Sequence, residues 1–291
     1  MGNKRQRKII IRLIIGALIV FLGLIVEFYI HRYSTNRAVV FRTEESTVQI
    51  YREKKWQDFR FRGANIPAAP LGESGSREEF ARLFKQMADA DVNVILVHTI
   101  LSPVFYRAFF EYNLLTDKPL YLLHGIRLDE QNIKKYYNAY EDKLSDDFFE
   151  EIRRTIDVVH GKAGLKQTTG HNSGTYNFNI SPYVIGYILG DQTDADFVLT
   201  TNEKNPHIMG FDGDYLYTRN ASPYEAWLAA VGNYAISYEQ EKYRGPCKLV
   251  SLACCFGIDP VGVNLANIQV TEKFNAGILA FDRLQETFIE F

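Results

Sequence analysis

The sequence predicts an α/β fold of the (β/α)8 TIM-barrel type, incomplete with about six strands, behind one N-terminal transmembrane helix. The first observation behind this prediction is that short apolar runs, typical of buried strands, alternate with amphipathic helical patterns along residues 59–291. The second is that polar residues follow several of those runs directly. In barrel enzymes the carboxyl ends of the strands carry the chemistry.

Composition excludes several classes of protein. Of the 291 residues, 46% are hydrophobic, which excludes a disordered chain. Residues 1–37 hold seven bases and one acid, which leaves 26 bases and 34 acids in the rest, a net charge of −8. An acidic body argues against a nucleic-acid partner. Cys247, Cys254 and Cys255 have neither disulfide-framework nor zinc-ligand spacing, and no metal or cofactor is expected.

Residues 9–30 form an apolar stretch interrupted only by Arg12 and Glu27. As a helix it would be roughly 33 Å long, enough to cross a hydrocarbon core of about 30 Å. Five bases precede its uncharged centre, so the positive-inside rule places residues 1–8 in the cytoplasm and the body outside the cell membrane. A cleaved signal peptide is the alternative, although no small-residue cleavage site follows.

Residues 31–58 are interpreted as a stalk with a short strand, and the elements of the main domain follow. In the first half these are strands at 59–65, 92–97 and 119–126, helices at 77–90, 103–112 and 146–159, and a polar loop at 161–182. The helix at 77–90 places Phe80, Leu83, Phe84 and Met87 on one face.

The second half continues the alternation. A strand is expected at 183–189, a polar loop at 190–221, a helix to about Tyr243, and strands at 247–255 and 276–281. Ser222, Pro223 and Glu225 predict the start of that helix, because a Ser N-cap, a Pro at the first position and a Glu at the third form a capping pattern.

The residues at the predicted strand ends resemble a known family. Arg62–Pro67 resembles the end of the first strand in the retaining glycosidase clan that includes glycoside hydrolase families 2 and 5. Val184–Gln192 is similar to the clan's fourth strand, which ends in Leu-Gly-Asn-Glu with the Glu as acid/base. The order of the segments over 59–291 resembles bacterial membrane-anchored family 2 TIM-barrel-domain proteins. A nucleotide-binding fold is disfavoured because no glycine-rich phosphate loop occurs.

The resemblance implies a site in which one catalytic position is substituted. Gln192 occupies the acid/base position, and an amide can neither protonate a leaving oxygen nor activate water. Asp191 stands where the clan has the Asn that binds the sugar 2-hydroxyl. The remaining sugar-binding candidates are Asn65, His98, His124, Tyr176 and Asp194.

The clan's nucleophile lies on a seventh strand, which the six predicted strands do not reach. The only late carboxylates, Glu286 and Glu290, fall in a segment, 283–291, that is interpreted as a loop. We therefore expect a truncated barrel with little or no turnover, whose exposed strand edges favour self-association into a homo-oligomer.

Several residues allow two interpretations. His98 fits either a sugar contact or a core histidine, and Asp129 with Glu130 fits a helix start better than catalysis. His207, Asp212 and Asp214 fit turn residues better than metal ligands. The function expected is a membrane-anchored glycoside hydrolase-like protein acting on carbohydrate; the alternative is a non-catalytic carbohydrate-binding or envelope interaction protein.

Overall fold

The computed structural model describes residues 2–36, 40–44, 47–66, 74–166, 172–190, 193, 195–252, 263–280 and 287–290. The chain divides into two compact units, residues 1–38 and 39–291. The first consists of one helix, α1 (Gly2–Asn36). Within it, Ile10–Glu27 has a mean hydropathy of 2.6, which by length and composition is enough to cross a membrane. A signal sequence would pass the same test.

The second unit is built around a six-stranded parallel sheet. Its strands lie in the order β11 (Leu249–Leu252), β9 (Val184–Leu189), β6 (Tyr121–Ile126), β5 (Val94–Val97), β4 (Gly63–Ile66) and β13 (Phe288–Glu290). Helices connect them as in part of a (β/α)8 barrel. The helices are α2 (Arg77–Asp89), α3 (Pro103–Leu115), α4 (Glu130–Tyr136), α5 (Asp142–Val159), α6 (Ala195–Lys204) and α7 (Pro223–Tyr243). The predicted fold class is confirmed.

Local sequence explains the helices that were predicted. In α2, Phe80, Phe84 and Met87 are fully buried, while Leu83 packs at the margin of the core. The capping box at Ser222 and Glu225 is present, because the Ser222 side chain accepts from the Glu225 N–H and the Glu225 carboxylate accepts from the Ser222 N–H. Both predictions are confirmed.

Residues 40–58 form a three-stranded antiparallel sheet, β1 (Val40–Glu44), β2 (Thr47–Arg52) and β3 (Lys55–Asp58), where the sequence suggested a stalk with a short strand. Aromatic rings join it to the main sheet. Phe41 lies 5.0 Å from the ring of Tyr121, the first residue of β6, and Phe59 lies 5.6 Å from it. The small sheet therefore covers the amino ends of the parallel strands.

The two polar loops contain regular structure that the sequence did not indicate. Residues 161–182 include a hairpin of β7 (Ala163–Leu165) and β8 (Gly174–Tyr176). Residues 190–221 include α6 and β10 (Leu216–Thr218), which pairs with β12 (Ile268–Val270). These strands are only three residues long, too short to show a periodic pattern.

The predicted strand at 276–281 is present only as a short parallel bridge to β11. Among its described residues, 276–280, Ile278 pairs with Val250, the Leu279 N–H donates to the Val250 carbonyl at 2.8 Å, and Gly277 has a left-handed backbone with φ +95°. The sixth strand is β13, within the segment that was interpreted as a loop. It pairs with β4 at the opposite side of the sheet, where the ring of Phe288 occupies the space that a side chain at Gly63 would fill. Cys254, Cys255 and Glu286 lie outside the described residues.

Candidate functional site

The carboxyl ends of the six parallel strands meet at one edge of the sheet, called here the carboxyl edge. Asn65 lies in β4, His98 follows β5 directly, and Gly190 follows β9. Parallel strands are spaced about 4.8 Å apart, so β4 and β9 stand about 14 Å from each other along the sheet. Asn65 and His98 therefore stand at the ends of adjacent strands, and Gly190 lies two strands further along the same edge.

Asn65 is partly buried, and its backbone is in register with Leu96 on one side and Glu290 on the other. Glu290, which the sequence placed in a loop, therefore belongs to β13, the strand that pairs with β4. Only the backbone of Glu290 is described.

His98 is partly exposed at the end of β5, and its backbone packs tightly against β6. A Cβ atom on Gly125 would lie 2.9 Å from the His98 Cα and carbonyl oxygen. Glycine at position 125 is therefore what allows the chain after β5 to approach β6 and fixes where His98 stands.

His124 lies inside the protein and not at its surface. Its Nδ1–H donates to the Gly125 carbonyl at 2.9 Å, and its Nε2 accepts from the Tyr106 hydroxyl at 2.7 Å. The side chain is 0% exposed, and burial lowers the pKa of His124 to about 4. Both ring nitrogens are used within the protein and the imidazole is neutral, so the described structure leaves it no contact with a sugar.

Tyr176 is also buried, at the end of β8. Its hydroxyl donates to the Leu101 carbonyl at 2.9 Å, and its ring packs edge-on against Tyr106 at 5.3 Å. Burial raises the pKa of both Tyr106 and Tyr176. The Leu101 N–H in turn donates to the Tyr106 hydroxyl.

Tyr106 therefore connects His124, Tyr176 and the loop after β5. Sequence analysis missed this residue because an aromatic position in an aromatic helix carries no signal of its own.

Asp191, Gln192 and Asp194 lie outside the described residues, but the residues around them are placed. Gly190 has a left-handed backbone with φ +76°, and its N–H donates to the Ile126 carbonyl at 3.1 Å. Thr193 is 3% exposed, and its hydroxyl lies 3.2 Å from the Tyr224 hydroxyl on α7. Helix α6 begins at Ala195. Gly190 thus lies at the carboxyl edge, and Thr193 lies against the start of α7.

Asp129 acts as a helix cap, as the sequence favoured. Its carboxylate accepts from the Asn132 N–H at 2.9 Å, and Glu130 forms an ion pair with Lys134 at 3.7 Å. Asp212 pairs with Tyr217 in an isolated bridge, and Asp214 pairs with Lys273. Within the described part of the chain, no group of three or more metal-ligating side chains occurs.

The structure brings Asn65 and His98 to one edge, together with Gly190, the described residue that precedes the segment at 191–194. It places His124 and Tyr176 beneath that edge, as part of the scaffold that holds the loop after β5. Asn65 and His98 can exchange hydrogen bonds with hydroxyl groups of a ligand. Among the described residues, the edge presents no carboxylate pair whose separation could be measured.

Comparisons with known proteins give similarity in fold only. No protein-family model and no curated protein matches the chain. Among solved structures, an endocellulase from Pyrococcus horikoshii in complex with cellotetraose matches with TM-score 0.41 and 12% identity, over 74% of this chain and 58% of that one. A β-glucuronidase from Ruminococcus gnavus matches with TM-score 0.36 and 10% identity, over 73% of this chain and 32% of that one. This chain thus spans less than two thirds of either neighbour, and similarities of this size carry no argument about activity.

Proposed function

We propose that the protein is a membrane-anchored, glycoside hydrolase-like protein whose extracytoplasmic barrel-type domain engages carbohydrate with little or no hydrolysis. The observation that carries the proposal is the position of β9. It is an interior strand of a parallel sheet, and all six of its residues are buried. Gly190–Gln192 follows its carboxyl end, where the resemblance to retaining glycosidases requires the acid/base segment to begin.

The chemistry of position 192 argues for binding without turnover. An amide keeps the shape of a glutamate and can still form hydrogen bonds, through one acceptor oxygen and an NH2 donor, but it has no titratable proton. General acid–base catalysis is worth roughly 10²- to 10⁴-fold in rate. Asp191 has a carboxyl group on a shorter side chain, which displaces it by about 1 Å, and a misplacement of that size can cost roughly 10²-fold. A sugar could still hydrogen-bond to Asn65, His98 and Asp191.

Glycan binding and turnover by the whole chain in detergent micelles test this proposal. We expect saturable binding to at least one polysaccharide, no release of product from a panel of activated aryl glycosides, and binding weakened by about tenfold or more in Asn65→Ala and Asp191→Ala. Gln86→Ala, an exposed amide on α2, is the matched control and should bind like the wild type.

Two results would contradict the proposal in different ways. Turnover that disappears in Asp191→Asn would show that Asp191 does the work of the acid. Stable capture of an envelope protein by a chain that binds no glycan would favour the second candidate, an envelope interaction protein built on a glycosidase-like barrel.

The membrane topology has its own test. The apolar window of α1 and the five bases before its centre support an anchor with the N-terminus in the cytoplasm. Protease added outside intact spheroplasts should digest the body and leave a tag at residue 1 protected. A protected body with an accessible N-terminus would overturn the topology.

A further inference from the structure

The turn between β2 and β3 is rich in basic and aromatic residues. Residues 51–56, called here the hairpin tip, contain three basic residues, one acid, a Tyr and a Trp. Glu53 and Lys54 both have left-handed backbones, with φ +51° and +63°, which makes a tight two-residue turn. The surrounding body is acidic, so a basic, aromatic turn on it needs an explanation.

The side chains of the hairpin tip divide into an inner and an outer set. Arg52 points inward, where its guanidinium donates to the Tyr121 hydroxyl. Lys54 and Lys55 are exposed, and within the described part of the chain neither forms an ion pair. Tyr51 and Trp56 form a cross-strand pair on the outer face, with ring centroids 5.3 Å apart.

Strand register shows which end of the small sheet the tip occupies. Val40 is paired with Tyr51, so the tip lies beside the first residue of β1, where the chain arrives from α1. The acids Glu44 and Asp58 stand at the other end of their strands. The small sheet is thus basic and aromatic at the end where the chain enters, and acidic at the end away from it.

Chain length keeps the tip near any bilayer that α1 crosses. The apolar window ends at Glu27 and α1 ends at Asn36, an extension of roughly 14 Å at 1.5 Å per residue. The four further steps to Val40 span at most about 14 Å. The tip is therefore tethered at a high effective concentration, on the order of millimolar, relative to that surface, so a weak attraction is enough to hold it there.

We propose that the hairpin tip docks on the anionic headgroup surface of the membrane that α1 crosses. Lys54 and Lys55 supply the electrostatic attraction, and Tyr51 and Trp56 supply the amphipathic rings that prefer the boundary between water and lipid. This inference rests on the anchoring put forward under the proposed function. Docking turns the amino ends of the parallel strands toward the membrane and holds the carboxyl edge away from it, open to a surface polymer.

Trp56 serves as the reporter for the test. The chain has two tryptophans, and the other, Trp227, is only 2% exposed, so subtracting the signal of a Trp56→Phe variant isolates Trp56. The whole chain is reconstituted in nanodiscs of phosphatidylcholine, with or without one third phosphatidylglycerol, carrying lipids brominated near the headgroup. We expect quenching of Trp56 in the anionic nanodiscs and much less in the neutral ones.

Charge variants test the role of the lysines. Each lysine near an anionic surface is worth on the order of fivefold in the docking equilibrium, so Lys54→Glu/Lys55→Glu should lower it by more than about 25-fold and abolish quenching. Lys134→Glu/Lys135→Glu makes the same charge change on α4, after the carboxyl end of β6, and should quench like the wild type.

Each failure has a separate signature. A chain that does not float with lipid vesicles refutes the anchor itself. A chain that floats, but whose Trp56 is not quenched or is quenched equally in neutral nanodiscs and in the charge-reversed variant, overturns the docking of the hairpin tip and leaves the anchor standing.

Discussion

The two edges of the parallel sheet are built in opposite ways, and two buried histidines show the difference. At the amino edge, His160 follows α5, and its Nε2–H donates to the Glu239 carboxylate at 2.8 Å. At the carboxyl edge, His124 has only neutral partners, a hydroxyl and a carbonyl. The first pair joins the end of α5 to α7 through a carboxyl group, whereas the second holds the loop after β5 through a hydroxyl and a carbonyl.

The amino edge is the more interconnected of the two. Glu239 also accepts from the Tyr187 hydroxyl of β9 at 3.1 Å, and the imidazole of His160 stacks on Tyr243 at 3.7 Å. Asp157 accepts from the hydroxyls of Tyr238 and Tyr243. In barrel folds the amino-terminal face serves stability and the carboxyl-terminal face serves function. The described contacts follow that division.

The largest effect is expected when the amino edge loses its buried carboxylate. Glu239 is 3% exposed, and Glu239→Ala leaves both His160 and Tyr187 without their partner, which typically costs 3–5 kcal/mol for a broken buried pair. Urea unfolding of the whole chain in detergent, followed by tryptophan fluorescence, measures the loss. Glu241→Ala, exposed on the same helix, is the control and should change the free energy of unfolding by less than about 0.5 kcal/mol. Equal effects of the two variants would show that the network contributes nothing.

The second effect is the pH dependence that His124 confers on stability. The pKa of His124 is about 4 in the folded protein against 6.5 for a free histidine. Between these values the unfolded chain binds a proton that the folded chain does not, so stability falls as the pH drops through 6.5 and stops falling below about 4. The loss on this account is about 3 kcal/mol.

Unfolding at pH 7, 5.5 and 4.5 in the wild type and in His124→Gln isolates this contribution. The variant should be less stable at pH 7 but should lose less stability on acidification. If the wild type and His124→Gln lose the same free energy of unfolding between pH 7 and 4.5, His124 is not held neutral by the folded protein.

Sequence reasoning found what depends on neighbours along the chain and missed what depends on distant ones. The continuous apolar run at 92–97 and the Ser222 capping pattern are local signals, and both elements formed as predicted. The His160–Glu239 pair joins residues 79 positions apart, and β13 pairs with a strand more than 200 positions earlier in the chain, where Phe288 packs over Gly63. At the site, His124 lies in a strand that the sequence predicted correctly. Its hydrogen bond to Tyr106 of α3 was not predicted, because it joins two different elements. The roles of Asp191 and Gln192 stay predictions.

The smallest effect concerns how far the loss of a helix cap spreads into the rest of the domain. Asp129 caps α4, a helix of seven residues at the carboxyl edge with Ile133 as its one buried residue among those described. Ser222 caps α7, a helix of 21 residues whose buried face includes Tyr224 and Trp227. Loss of either N-cap typically costs about 1 kcal/mol.

The two caps should differ in where that cost is felt. Helix α4 can open without exposing the core, so Asp129→Ala should speed amide hydrogen exchange at Asn132 and Ile133 by roughly fivefold and leave global unfolding nearly unchanged. Helix α7 cannot open alone, because Glu225 accepts from the Asn267 side chain and Trp227 packs against rings of α5 and α6. Ser222→Ala should therefore lower the global free energy of unfolding by about 1 kcal/mol. A global loss from Asp129→Ala as large as that from Ser222→Ala would mean that α4 is as firmly integrated into the core as α7. A short helix at the carboxyl edge would then contribute to the stability of the whole domain, and the contrast between a stabilising edge and a functional one would fail.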